Sequence, residues 1–133
     1  MIADEIRAAL KERLRVMEET DDNWDYGIDK CCKKEVKILS EDISETIHFF
    51  TDECTDEEFF WLSEIFSDVA EKTKSSEFVQ CLRDRLARVR PETYDQASFN
   101  TEHMRKWIDY KEYARSTSLD IDYADGALLE VNE

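Results

Sequence analysis

The chain has 133 residues, with 18 Lys+Arg against 33 Asp+Glu, a formal net charge of −15, two glycines and one proline. The length fits one domain, and so few turn-forming residues favour long helices over a sheet. Two glycines exclude a dinucleotide-binding fingerprint and a Walker phosphate loop, and two histidines exclude a catalytic zinc site built on three. We therefore predict one all-α domain over residues 1–133, a bundle of about five helices.

The excess of negative charge indicates which partners the chain can attract. Because 41% of the residues are hydrophobic, the composition is that of a packed protein rather than a disordered acidic tail. Such a charge repels nucleic acid and anionic membranes and attracts basic proteins. No apolar run is long enough to span a membrane, and charges interrupt the N-terminal stretch where a signal peptide needs an apolar core. We expect a cytoplasmic protein with a protein partner and no cofactor.

The N-terminal third predicts two helical segments. Residues 1–19 place apolar side chains every three or four residues, which is typical of an amphipathic helix. Residues 21–27 break this period and are predicted to form a loop. From Asp29 the apolar spacing resumes for about five turns, and Ser40 is a residue that could cap a new helix and split the stretch. Periodicity leaves the choice between one helix and two open.

The clearest predicted helix start is at Thr55. Thr55 and Glu58 have the spacing of a capping box, in which each side chain binds a backbone N–H of the other residue. The residues that follow, 59–70, are apolar on more than one face and predict a central helix whose Trp61 lies in the core. A further cap at Ser75 or Ser76 begins the next helix, which Pro91 ends.

The C-terminal region predicts a fifth helix, followed by a tail whose secondary structure the pattern leaves undecided. Asn100 can cap a helix that contains Met104 and Trp107. After Ser116 the apolar residues at 119, 121 and 123 alternate as in a strand, whereas those at 123, 127, 128 and 131 suit a short helix. Both structures remain open for the tail.

None of the residue patterns completes a catalytic or metal site. Glu45 and His48 form Glu-x-x-His, but the second copy that a di-iron bundle needs is missing, so His48 is expected to be hydrogen-bonded at a helix face. The acidic residues at 120–126 do not fit the spacing of a calcium loop. Because Cys31 and Cys32 are adjacent and the other two cysteines are isolated, we expect four reduced thiols packed as small hydrophobic groups. We expect no enzymatic activity.

Three runs of residues resemble a known family. They are CTDEEFFWLSEIF at 54–66, SDVAEKT at 67–73 and EFVQCL at 77–82. They resemble small all-helical bacterial immunity proteins, the cognate partners of polymorphic and contact-dependent growth inhibition toxins. The resemblance covers about forty percent of the chain and consists of core-helix residues. It implies a protein that protects its own cell by binding the C-terminal domain of a toxin, often a nuclease, and it carries over no binding residue.

The distribution of charge predicts where such a partner would bind. Residues 40–78 hold 12 acidic and 2 basic residues, and residues 52–58 alone contain five carboxylates. Crowded carboxylates repel one another, and a basic partner would offset that repulsion. The predicted partner-binding residues are Asp52, Glu53, Asp56, Glu57, Glu64, Asp68 and Glu71, followed by Glu41, Asp42 and Glu45. The recurring arginines at 83, 85, 88 and 90 are expected to pair within the chain.

Two other functions remain open from the sequence. One is an acidic helical adaptor that binds a basic protein that is not toxic. The other is an enzyme whose site is assembled in space, in a polar pocket holding His48 or His103. The sequence gives neither the toxin's activity, nor whether its active site or an exosite is blocked, nor the oligomeric state of the chain.

Overall fold

A computed structural model of the chain describes residues 2–19, 26–92, 94 and 109–129. Its helices are α1 (Ile2–Glu19), α2 (Tyr26–Glu41), α3 (Ile43–His48), α4 (Asp56–Leu62), α5 (Phe66–Thr73), α6 (Ser76–Ala87) and α7 (Tyr110–Ala127). A π-helical turn (Phe49–Glu53) extends α3, and a 3-10 turn (Ser63–Ile65) joins α4 to α5. The described residues thus form six continuous helical stretches, which confirms the all-α class and lies close to the predicted number.

Helices α1 and α2 pack against each other through the predicted apolar stripes. Ile2, Ile6 and Leu10 of α1 are buried. Helix α2 begins at Tyr26 rather than Asp29, so the predicted loop is wrong for residues 26 and 27, and residues 21–25 lie outside the described residues. Ile28 explains the earlier start, because it is buried one turn before Cys32 and gives the first turn of α2 a core contact.

The long stretch after Asp29 is split, but by Asp42 rather than by Ser40. Asp42 has extended backbone angles, and its side chain accepts a hydrogen bond from the backbone N–H of Glu45 at 3.3 Å. Ser40 stays inside α2. The hydroxyl of Thr46 donates to the carbonyl oxygen of Leu39 at 2.7 Å and so ties the two helices together across the break.

The predicted central helix over residues 59–70 is divided in the structure into α4 and α5, which the 3-10 turn joins and which contribute many of the core residues. The Thr55 hydroxyl accepts from the N–H of Glu58 at 3.1 Å, and the Glu58 carboxylate accepts from the N–H of Thr55 at 2.9 Å, which confirms the capping box. Trp61 is 6% exposed and belongs to the core. The segment is buried on several faces through Phe59, Trp61, Leu62, Ile65, Phe66, Val69 and Ala70.

Phe50 lies at the centre of an aromatic cluster that joins the π turn to three helices. Its ring meets those of Phe49, Phe59, Phe66 and Phe78 in edge-to-face contacts, with ring centroids 5.2 to 6.2 Å apart. All five rings are fully buried. Such contacts add to the free energy gained by burying the rings, so this cluster fixes the π turn, which carries two of the predicted partner-binding residues, against the core.

Helices α6 and α7 close the fold on the other side of α5. Ser75 is the cap of α6, accepting from the N–H of Phe78 at 3.1 Å, and α6 ends at Ala87, before the predicted stop at Pro91. Helix α7 continues through the tail to Ala127, so the strand alternative is wrong. The predicted start at Asn100 lies outside the described residues. None of the described helices combines the length and the apolar character needed to cross a membrane.

Candidate functional site

Five of the predicted partner-binding residues lie between the end of α2 and the end of the π turn, and we call them the acidic strip: Glu41 at the end of α2, Asp42 as the cap of α3, Glu45 in α3, and Asp52 and Glu53 in the π turn. Four of these side chains are exposed and Glu53 is half-buried. Within the described residues no lysine or arginine forms a salt bridge with the strip. His48 lies beside it, with Nδ1 3.0 Å from Oδ2 of Asp52 and Nε2 3.8 Å from Oε2 of Glu53. The prediction that His48 is hydrogen-bonded at a helix face is consistent with this geometry.

Two further predicted residues, at the start of α4, have carboxylates that already bind other side chains of the protein. Oδ1 of Asp56 lies 2.7 Å from Nη2 of Arg85, and the Glu57 carboxylate accepts from the indole N–H of Trp61 at 3.3 Å. Their neighbour Glu58 pairs with Arg7 of α1 at 2.8 Å. The crowding of carboxylates at residues 52–58 is therefore relieved in part by the protein's own cations.

The prediction that the arginines at 83, 85, 88 and 90 pair within the chain is confirmed for Arg83 and Arg85. Arg83 reaches Asp122 and Asp125 of α7 at 3.4 and 3.3 Å. Arg85 donates to the carbonyl oxygen of Cys54 at 3.1 Å in addition to its salt bridge with Asp56. These contacts connect α6 to α4 and α7, and Arg88, which caps the end of α6, donates to the carbonyl oxygen of Thr51, next to Asp52.

A groove of about 530 Å³ lies between α2 and the segment from the 3-10 turn to α5. Its lining residues are Asp29, Cys32, Lys33, Val36, Glu64, Ile65, Asp68 and Lys72. Two predicted partner-binding residues, Glu64 and Asp68, therefore share a cavity wall, and Glu71 acts electrostatically on Asp68. Sequence reasoning did not find the groove, because its two walls come from segments that are far apart along the chain.

Behind the groove lies an ion pair between two fully buried side chains. Nε of Arg13 is 3.1 Å from Oε2 of Glu35, and both side chains are 0% exposed. The N–H is not directed at the oxygen, so the two groups attract as charges without forming an aligned hydrogen bond. Arg13 also donates to Oε2 of Glu64 at 3.0 Å and to the carbonyl oxygen of Trp61 at 2.6 Å.

Burial changes the titration of two carboxyl groups near the groove. Desolvation raises the pKa of Glu35 to about 7, although the Arg13 guanidinium lowers it; the Glu64 carboxylate raises it further. Partial burial raises the pKa of Asp68, and the neighbouring Glu71 adds to this effect. The ionised forms of both groups are therefore less stable than those of ordinary surface carboxylates.

The cysteines are all free thiols, as predicted. Cys32, Cys54 and Cys81 are buried, and burial raises the pKa of Cys32 to about 11 and that of Cys81 to about 12. Cys32 lines the groove, with its sulfur 3.8 Å from Nη1 of Arg13. Among the residues that the structure describes, no group of three His, Cys, Asp or Glu side chains could hold a metal ion.

No family model, curated protein or solved structure matches this chain. Its function is therefore inferred from the acidic strip, the groove and the buried ion pair.

Proposed function

We propose that this chain is a non-enzymatic immunity protein that binds and neutralises the basic, nuclease-type C-terminal domain of a cognate bacterial toxin. The observation that supports this proposal is the acidic strip. Among the described residues, no lysine or arginine forms a salt bridge with its carboxylates. Elsewhere the chain does neutralise its acids, as Arg7, Arg83 and Arg85 illustrate. A row of carboxylates that has only His48 and the nearby Arg7 beside it is destabilised by self-repulsion, which a cationic partner would relieve.

The chemistry of the partner follows from this charge. A nuclease presents a positive surface to the phosphates of its substrate, and a dense row of carboxylates can occupy that surface. Long-range attraction would speed the encounter, and the effect would weaken as salt is added. Because Asp56 and Glu57 are already engaged by Arg85 and Trp61, we expect Glu41, Glu45 and Asp52 to contribute more to binding.

The acidic strip would equally suit an adaptor that binds a basic protein of no toxicity, and only the partner separates the two functions. Catalysis has less support. His48 lies on α3 rather than in the groove, and the thiol that lines the groove, Cys32, is protonated at neutral pH because burial raises its pKa. His103 lies outside the described residues.

The test is to express the chain together with the product of the gene immediately upstream of its own. If the proposal is right, the upstream product alone arrests growth, the chain restores it, and the two proteins purify as one complex at moderate salt. An upstream product that is harmless and does not bind would contradict the immunity function, and the adaptor function would then be preferred.

A charge-reversal pair tests the acidic strip itself. Glu41→Lys with Glu45→Lys should slow association by about tenfold or more at low salt, because two steering charges change sign. The control, Glu5→Lys with Glu18→Lys, makes the same change in net charge at exposed positions of α1. An equal loss of association rate in both double variants would show that net charge alone matters, and would contradict a binding role for the strip.

A further inference from the structure

The walls of the groove between α2 and α5 carry more negative charge than their own cations balance. Lys33 is matched by Asp29, with Nζ and Oδ2 3.0 Å apart. Asp68 forms no salt bridge within the described residues, and Glu71 repels it. Lys72 is the other lysine of the lining, so two lysines face the three acidic residues Asp29, Glu64 and Asp68.

The buried ion pair does not remove this imbalance. Arg13 is the cation for both Glu35 and Glu64, so one guanidinium serves two carboxylates. Neither oxygen of the fully buried Glu35 accepts an aligned hydrogen bond within the described part of the chain. A second cation beside Glu64 would supply the charge that Arg13 alone does not, because Glu64 reaches the groove with half of its side chain exposed.

The groove also provides a surface for the stem of a long side chain. Val36 lines one wall and Ile65 the other, and both offer apolar contact to methylene groups. The volume of about 530 Å³ lies within the range of ligand-binding cavities. A metal ion fits less well, since the described residues contain no suitable group of three ligands.

We propose that the groove receives an arginine or lysine side chain of a basic protein partner, with its charged end between Glu64 and Asp68 and its stem against Val36 and Ile65. The proposal rests on the proposed function for the kind of partner, but it names a site separate from the acidic strip. An arginine fits best, because its planar fork can bind two carboxylates at once.

The experiment uses the whole chain and three blocked tripeptides: acetyl-Gly-Arg-Gly-amide, its lysine counterpart and its glutamine counterpart. Backbone amide shifts are followed by NMR as each peptide is added. We expect the arginine peptide to shift residues 32–36 and 64–68 in a saturable manner and the glutamine peptide to leave them unchanged. Shifts confined to the acidic strip, or no shifts at all, would overturn the proposal.

Two variants of opposite sign sharpen the test. Asp68→Asn should weaken binding of the arginine peptide by about threefold or more, and Lys72→Gln, which removes a competing cation, should strengthen it. Glu5→Gln and Lys11→Gln make the same charge changes at exposed positions of α1 and should alter binding less. If each groove variant behaves like its control, the peptide is responding to net charge and the groove is not its site.

The upstream gene product separates this proposal from the proposed function. Suppose that it binds and is neutralised, and that Asp68→Asn changes the dissociation rate of the complex no more than Glu5→Gln does. The groove proposal then fails and the immunity function stands. If it neither binds nor harms the cell while the arginine peptide still saturates the groove, the groove proposal stands and the immunity function fails.

Discussion

Arg13 and Glu35 form an ion pair that is closed off from solvent, with Nε and Oε2 3.1 Å apart and both side chains fully buried between α1 and α2. Removing two charges from water is unfavourable, and their attraction offsets that loss only when the geometry is good. Here the hydrogen bond is not aligned, and Arg13 is divided among Glu35, Glu64 and the carbonyl oxygen of Trp61. The pair therefore joins α1, α2 and α4 without being an optimal source of stability.

Removing one partner of this pair should be much more harmful than removing both. Arg13→Met leaves Glu35 buried without a cation and should lower the free energy of unfolding by about 3–5 kcal/mol at pH 8. Arg13→Met with Glu35→Leu removes the uncompensated charge and should recover a large part of that loss. Urea unfolding of both variants measures the difference. Arg15→Met is the control, because the salt bridges of Arg15 to described residues are exposed pairs with Glu12 and Glu19 on the same helix. A loss as small as the control's would contradict the role given to Arg13.

The buried carboxyl of Glu35 should make stability depend on pH in a defined direction. Its pKa is raised to about 7 in the folded chain, whereas the pKa of a glutamate in the unfolded chain is about 4.3. Between these values the folded state holds a proton that the unfolded state has released. The contribution of Glu35 to the free energy of unfolding therefore falls as pH rises from about 4.5 to about 7 and is constant above that.

Comparison with Glu35→Gln isolates this effect. The wild-type chain should lose stability relative to the variant across that window, by up to about 3 kcal/mol in total. Denaturant unfolding from pH 5 to pH 8 gives the two profiles, and the other carboxyls cancel because both proteins carry them. Parallel profiles would show that Glu35 titrates like a surface glutamate.

The features that could be predicted from the local sequence are those that depend on residues within one or two helical turns of each other. Thr55 and Glu58 are three residues apart, and their reciprocal hydrogen bonds follow from that spacing. The tail was ambiguous for a local reason as well. The buried face of α7 includes the polar Thr117, whereas Leu119 and Tyr123 are exposed, so hydropathy concealed the helical period.

The features that sequence did not reveal depend on contacts between distant segments. Arg13 occupies a core-facing position of α1, three residues after Leu10. A cation in an apolar stripe indicates that a buried anionic partner is present. Its identity could not be predicted, because Glu35 and Glu64 reach it from other helices. The same holds for Asp56, which local spacing places on an acidic face and folding pairs with Arg85.

Two adjacent serines provide a matched test of the cap of α6. Ser75 accepts a hydrogen bond from the N–H of Phe78, whereas Ser76 is exposed in the first turn. Ser75→Ala should lower the free energy of unfolding by about 1 kcal/mol, because an N–H in the first turn loses its partner. Ser76→Ala should change it little. Thermal and urea unfolding measure both, and equal effects would mean that the cap contributes nothing to α6.

The four thiols should differ in reactivity according to their burial. Cys31 is the half-buried one of the four, and desolvation raises its pKa, so at pH 8 it should react with Ellman's reagent first but more slowly than free cysteine. Cys81 is buried and its pKa is raised to about 12, so its thiol should react only when α6 opens.

Serine variants assign the phases of this reaction. Cys31→Ser should remove the fast phase, and Cys81→Ser should leave it intact. Denaturant should bring all four thiols to the same rate, because unfolding removes the burial that distinguishes them. A second fast thiol in the folded chain that Cys32→Ser removes would mean that Cys32 is accessible from the groove. Arg13 and Glu35 would then be closer to solvent than their contacts indicate, and the large loss expected from Arg13→Met would shrink with it.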